Sequence, residues 1–154
     1  MRDVKTIGAD DARRGIAAVR ATAERRDAAV VVAIADANGE LLALLRMDGA
    51  GPADIAPAIA KAFTAARLGQ PTRAIDTAAR HPKTGFDLAG FGDPRIVGLV
   101  GGVPVNHGGE TVGGIGVSGA VPDTDEALAE AGLAAMLAPY APLQGADDEA
   151  IPGP

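Results

Sequence analysis

His107 sits in a glycine-rich stretch, Gly101 to Gly119 (GGVPVNHGGETVGGIGVSG), and is one of only two histidines in the chain, the other being His81. An imidazole with an ordinary pKa of about 6.5 exchanges protons at neutral pH. Lys61 could hold an anionic substrate or enolate, and Asp48 could orient either partner. His107, Lys61 and Asp48 are therefore a candidate acid–base set for a cofactor-independent lyase, isomerase or hydrolase of catabolic or specialised metabolism. The structural alternative for the same residues is a salt-bridged rim at Arg46, Asp48 and Lys61 and an ordinary polar loop for each histidine.

Metal chemistry is narrowed by the same inventory. The chain has no cysteine, so thiolate sites, iron–sulfur clusters, disulfides and a cysteine nucleophile are excluded. Two histidines cannot complete a structural zinc finger, although with Asp or Glu they could hold a catalytic metal. One histidine suffices for haem iron, and of the two His107 is the more interesting, because its small neighbours let a planar or small ligand approach the backbone.

Two other motifs match chemistry only formally. Gly114-Ile115-Gly116-Val117-Ser118-Gly119 fits the dinucleotide pattern, but its glycines alternate with strand-forming residues and no second βα unit follows. Ser118 lacks the nucleophile-elbow spacing, since Ala120 stands where that motif needs glycine; it reads as a strand-end serine.

The elements that must position these groups follow from periodicity. Ala12, Ile16, Val19 and Ala23 form one stripe of a helix over 9–27. Two apolar runs, 29–37 and 40–47, flank Asn38-Gly39, which predicts a hairpin with a two-residue type I′ turn; Val30, Val32, Ile34, Leu41, Leu45 and Met47 then share one face. Both faces are apolar and call for cover, by helices on one side and a helix or second subunit on the other. Asp36 precedes the turn and can cap it. A helix over 53–68 stops at Gly69, and a short one starts at Pro71-Thr72. A long loop follows, with Phe86, Phe91 and His81, the last a rim residue of any site there.

Residues 95–100 read as a short strand leading into two more strands joined by a turn at His107, Gly108 and Gly109. Asp123 is the expected N-cap of the last helix, which runs to about 138. The fold class is α+β, an antiparallel sheet of about five strands flanked by helices. Residues 1–138 form a single domain and 139–154, rich in proline, glycine and acid, a flexible tail.

Composition sets the setting. With 14 basic and 20 acidic residues the net charge is −6, which gives no footprint for nucleic acid or an anionic membrane. No apolar segment has signal-peptide or membrane-spanning length, so a cytoplasmic protein is expected. Aromatic residues make up 3% of the chain, so the core must be thin and aliphatic, and self-association as a dimer or larger oligomer is expected to supplement it.

In order along the chain stand VAIADANG, RMDGA, KAFTAA followed by QPT, then GGVPV, VGGIGVSGA and DEALAEAG. This succession, spanning about residues 9–138, resembles the GlcG/HbpS-like family, also called the haem-degrading or DUF336 family. The resemblance implies a profilin-like or PduO C-terminal-like architecture, an oligomer, and haem as a possible cofactor. Asp36, Arg46, Met47, Asp48, Lys61, Ser118 and Asp125 match the family pattern, whereas Asn106-His107 departs from the acidic residue and glycine that relatives often carry there. On this reading the chain binds a small molecule, with haem the ligand the family implies. The pocket is expected between the 101–119 strands, the strand end at Arg46, Met47 and Asp48, and the helix bearing Lys61. Phe86, Asn106, His107 and Ser118 complete the expected ligand contacts, and haem iron would take His107.

Overall fold

The computed structural model describes residues 1 and 3–141; positions 142–154, most of the expected tail, lie outside the described residues. Four helices and four strands appear in the order α1 (Ala9–Arg25), β1 (Val31–Asp36), β2 (Leu41–Arg46), α2 (Ile55–Leu68), α3 (Thr72–Ala79), β3 (Gly102–His107), β4 (Glu110–Ser118) and α4 (Pro122–Leu137). The strands form one antiparallel sheet in the order β2-β1-β4-β3.

Helices cover both faces. Val30, Val32, Ile34, Ile115 and Val117 pack against Ala12, Val19 and Ala23 of α1 and Leu128, Ala129 and Met136 of α4. On the opposite face Val31, Ala33 and Ala35 meet Ala58, Ala62 and Ala66 of α2. The alanines of α2 and the glycines of β4 belong together: a Cβ on Gly116 would come within 2.2 Å of the Ala58 carbonyl, and one on Gly114 within 2.4 Å of the Ala62 carbonyl. Helix and strand backbones touch, so the glycine run cannot be a phosphate loop; it is the floor on which α2 lies.

Four local expectations are corrected. Residues 95–100 do not pair as a strand, which is why the sheet has four strands rather than about five. Thr64 of α2 takes that segment's polar groups instead, donating its hydroxyl to Arg95 O at 3.1 Å and accepting from Val97 N at 3.0 Å. The β1–β2 turn is not the two-residue type I′. Only Gly39 has positive φ (87°), and the loop is three residues long, closed by Gly39 N to Asp36 O and Asp36 N to Glu40 O, both 2.9 Å. The Asp36 carboxylate selects this form by accepting the amides of Asn38 and Glu40. A register shift then sets Leu41 opposite Ala35, off the Val32 face. Finally, α4 starts with Val121 as N-cap and Pro122 at its first position, where the missing N–H costs nothing. Asp125 rather than Asp123 serves the entry, accepting the Ala120 amide at 2.9 Å.

Candidate functional site

Lys61 lies on the sheet-facing side of α2 and is only 4% exposed. Its ammonium donates to Val117 O at 2.7 Å and to Asp125 Oδ2 at 3.1 Å. Burial pushes the Asp125 carboxyl up, against the lowering pull of the Lys61 ammonium and the Ala120 amide. Ser118, one residue beyond the Val117 carbonyl, is also buried, and its hydroxyl donates to Asp54 Oδ1 at 3.3 Å. This end of β4 is a closed polar knot joining α2 to the start of α4.

Arg46, Met47 and Asp48 stand elsewhere, where β2 runs out beside Arg20 and Glu24 of α1, around a cleft of about 440 Å³. Its charges are mixed, with Arg20 already paired to Glu24 at 2.9 Å. Phe86 and His81 line a second cleft, of about 570 Å³, over α3, with Pro71, Ala74 and Ala78. The His81 ring is occupied: Nδ1 accepts the backbone amides of Thr84 at 3.1 Å and Lys83 at 3.3 Å. The Thr84 hydroxyl stands 2.9 Å from the same nitrogen, so Nδ1 is engaged by its own loop.

His107 ends β3, where the glycine pair 108–109 turns the chain into β4 with φ of 59° and 79°. Asn106, beside it, braces the hairpin by accepting the Thr111 hydroxyl at 2.8 Å. The imidazole lies 5.4 Å from the Tyr140 ring, centroid to centroid, at an interplanar angle of 52°. Among the described residues neither ring nitrogen of His107 has a hydrogen-bond partner. The two rings border a cleft of about 410 Å³ walled by Ile7, Val112 and Leu137, with Lys5 and Asp11 as its charged groups. That volume falls within the roughly 300–1,000 Å³ usual for small-molecule sites. Lys5 lies at the mouth, 3.1 Å from Glu110.

The groups expected around one ligand thus occupy four places: a buried knot at Lys61 and Ser118, a charged cleft at Arg46–Asp48, an α3 cleft at Phe86, and the His107 cleft. Sequence reasoning missed Tyr140, Asp11, Lys5 and Ile7. Tyr140 falls in a 3-10 turn, Ala138–Tyr140, inside what reads by composition as tail; its one signal is that it is the chain's single tyrosine. Among the described residues no group of three or more histidine or acidic side chains could hold a metal ion by itself. No described helix is long and apolar enough to cross a membrane.

Comparison with known proteins shows which family the chain resembles. The family model described as haem-degrading protein HbpS-like matches residues 7–134. Protein GlcG of Escherichia coli is 37% identical over 103 residues, covering 67% of this chain and 74% of GlcG. The crystal structure of the Klebsiella pneumoniae protein ORFY superposes with a TM-score of 0.85 at 31% identity, over 90% of this chain and 95% of ORFY. The PduOC:heme complex gives a TM-score of 0.78 at 26% identity, over 84% and 94% of the two chains.

Proposed function

The chain belongs to the HbpS-like family, and on that footing we propose that it binds haem or a closely related tetrapyrrole in the cleft bordered on one side by the His107 and Tyr140 rings. The observation that carries the reading is the state of the two histidines. His81 spends its Nδ1 lone pair on two backbone amides, whereas the His107 ring faces a cleft with no partner among the described residues. Support also comes from the haem held by the related PduOC structure and from the haem-degrading description of the family.

The residues present fit such a group. His107 would offer one nitrogen to iron, Ile7, Val112 and Leu137 would line a ring face, and Lys5, paired with Glu110, would meet a ligand carboxylate by exchanging that partner. Bound haem would supply one-electron and oxygen chemistry; the chain's part is to hold and orient it. With half-exposed Tyr140 as one wall, binding would be at the surface rather than in a deep pocket. Self-association and a cytoplasmic setting belong to the same proposal, the first supported by the apolar, exposed edge at Leu41 and Leu42.

The acid–base alternative has no observation in its favour. It needs Lys61, His107 and Asp48 around one substrate, yet the Lys61 ammonium is buried against Val117 and Asp125. Titrating the full chain with hemin tests the binding reading: a red-shifted Soret band saturating at one hemin per chain is expected, and an unchanged hemin spectrum would sink it.

A further inference from the structure

Resting on that reading, we propose that Tyr140 is a positioning residue for His107, clamped by Asp11 so that its ring fixes the orientation of the imidazole offered to the ligand. Tyr140 lies beyond residues 7–134, so the family match does not supply it. The clamp is rigid at its base. Asp11 is 7% exposed, and its carboxylate accepts the Gly8 amide at 2.8 Å and a guanidinium N–H from Arg14 as well as the Tyr140 hydroxyl at 2.8 Å. From this anchor the phenol ring reaches to within 5.4 Å of the imidazole centroid.

That spacing decides the role. A flat ligand sandwiched between the two side chains would need two van der Waals gaps of about 3.5 Å, or about 7 Å in all. The rings are too close for this, so they meet the ligand from one side as a packed pair. The hydroxyl is also spoken for: donating to a buried carboxylate, it remains a neutral phenol and is no phenolate ligand for iron. Packing at 52° restricts imidazole rotation about its last side-chain bond, the kind of support that outer contacts give to metal-binding histidines.

Two measurements on the full chain test this. With only two histidines present, the imidazole proton resonances can be assigned by substitution. In Tyr140→Leu without ligand, the His107 resonances should move as the tyrosine ring current is lost, while those of His81 stay. In hemin titrations Tyr140→Leu should bind about three- to tenfold more weakly, as expected for loss of one aromatic contact, with the Soret maximum of the wild type. Tyr140→Phe, which keeps the ring but not the clamp, should fall between. Unmoved His107 resonances, or wild-type affinity in Tyr140→Leu, would overturn the inference while leaving His107 as ligand. A displaced Soret maximum in Tyr140→Phe would also overturn it, since the phenol would then be bound to iron. Failure of the wild type to take up hemin at all would remove the binding reading, and this inference with it.

Discussion

The Tyr140 hydroxyl donates to Asp11 Oδ1 at 2.8 Å, tying the turn after α4 to the first turn of α1 across 129 positions of sequence. The bond closes one side of the His107 cleft and has a spectroscopic consequence, because Tyr140 is the chain's single tyrosine and tryptophan is absent. The hydrogen bond to Asp11 favours the neutral phenol and raises its pKa above the ordinary value of about 10. Phenolate absorbance followed against pH should therefore give one transition above that value. Asp11→Asn, which removes the negative charge, should return the midpoint toward it; a wild-type midpoint at or below the ordinary value contradicts the bond.

Asp11 carries the complementary effect. Burial acts to raise its carboxyl, but the Gly8 amide, the Tyr140 hydroxyl and Arg14 outweigh this and leave it below the usual range. A depressed folded-state pKa means stability that is complete above the unfolded pKa of about 3.9 and lost as pH falls through the folded value. Urea midpoints measured between pH 5 and 3, a range chosen roughly to bracket that unfolded pKa, should fall less steeply in Asp11→Asn than in the wild type. Parallel slopes would exclude this role.

The Lys61–Asp125 pair predicts a double-mutant result. Lys61→Met leaves the buried Asp125 carboxylate without its cation, at a cost of about 3–5 kcal/mol at neutral pH. Burial already pushes the Asp125 pKa up, so the neutral acid is the better tolerated form in the folded state. The stabilising contribution of that shift is present below the unfolded pKa and lost as pH rises through the folded one. Lys61→Met should therefore recover relative to wild type on acidification, and Lys61→Met/Asp125→Leu should regain much of the loss at neutral pH. Equal instability of the single and double variants at every pH would show that lost packing dominates.

Gly116→Ala tests the contact between β4 and α2. The added methyl would stand 2.2 Å from Ala58 O and 2.5 Å from Ala62 N, both backbone atoms of a packed helix. Helix or strand must shift, and a loss of about 3 kcal/mol or more in unfolding free energy is expected. Gly109→Ala meets no neighbouring atom and carries only the turn's positive φ, so it should cost less. Chemical denaturation of the two variants ranks them; the reverse order contradicts the packing described.

Most of the fold could be read along the chain because its signals are local. The stripe of Ala12, Val19 and Ala23 marked α1, Gly69 ended α2, and the glycine pair 108–109 placed the β3–β4 turn. Misreadings arose where a distant side chain intervened. Thr64 claimed the backbone of residues 95–97, and the Asp36 carboxylate reshaped the turn that Asn38-Gly39 favoured. The site was less legible for the same reason. Lys61 has a family-like neighbourhood, yet only the tertiary fold reveals that it faces Asp125, 64 positions away. Nothing in local spacing links His107 to Tyr140 or Asp11, because those contacts form only when both chain ends return to the same corner of the sheet.

Hemin uptake compared among the wild type, His107→Ala and His81→Ala puts the central claim to its most direct test. The wild type and His81→Ala should give the same saturable, red-shifted Soret band, and His107→Ala should lose it. Undiminished uptake by His107→Ala, or loss of the band in His81→Ala alone, would contradict the assignment of the site.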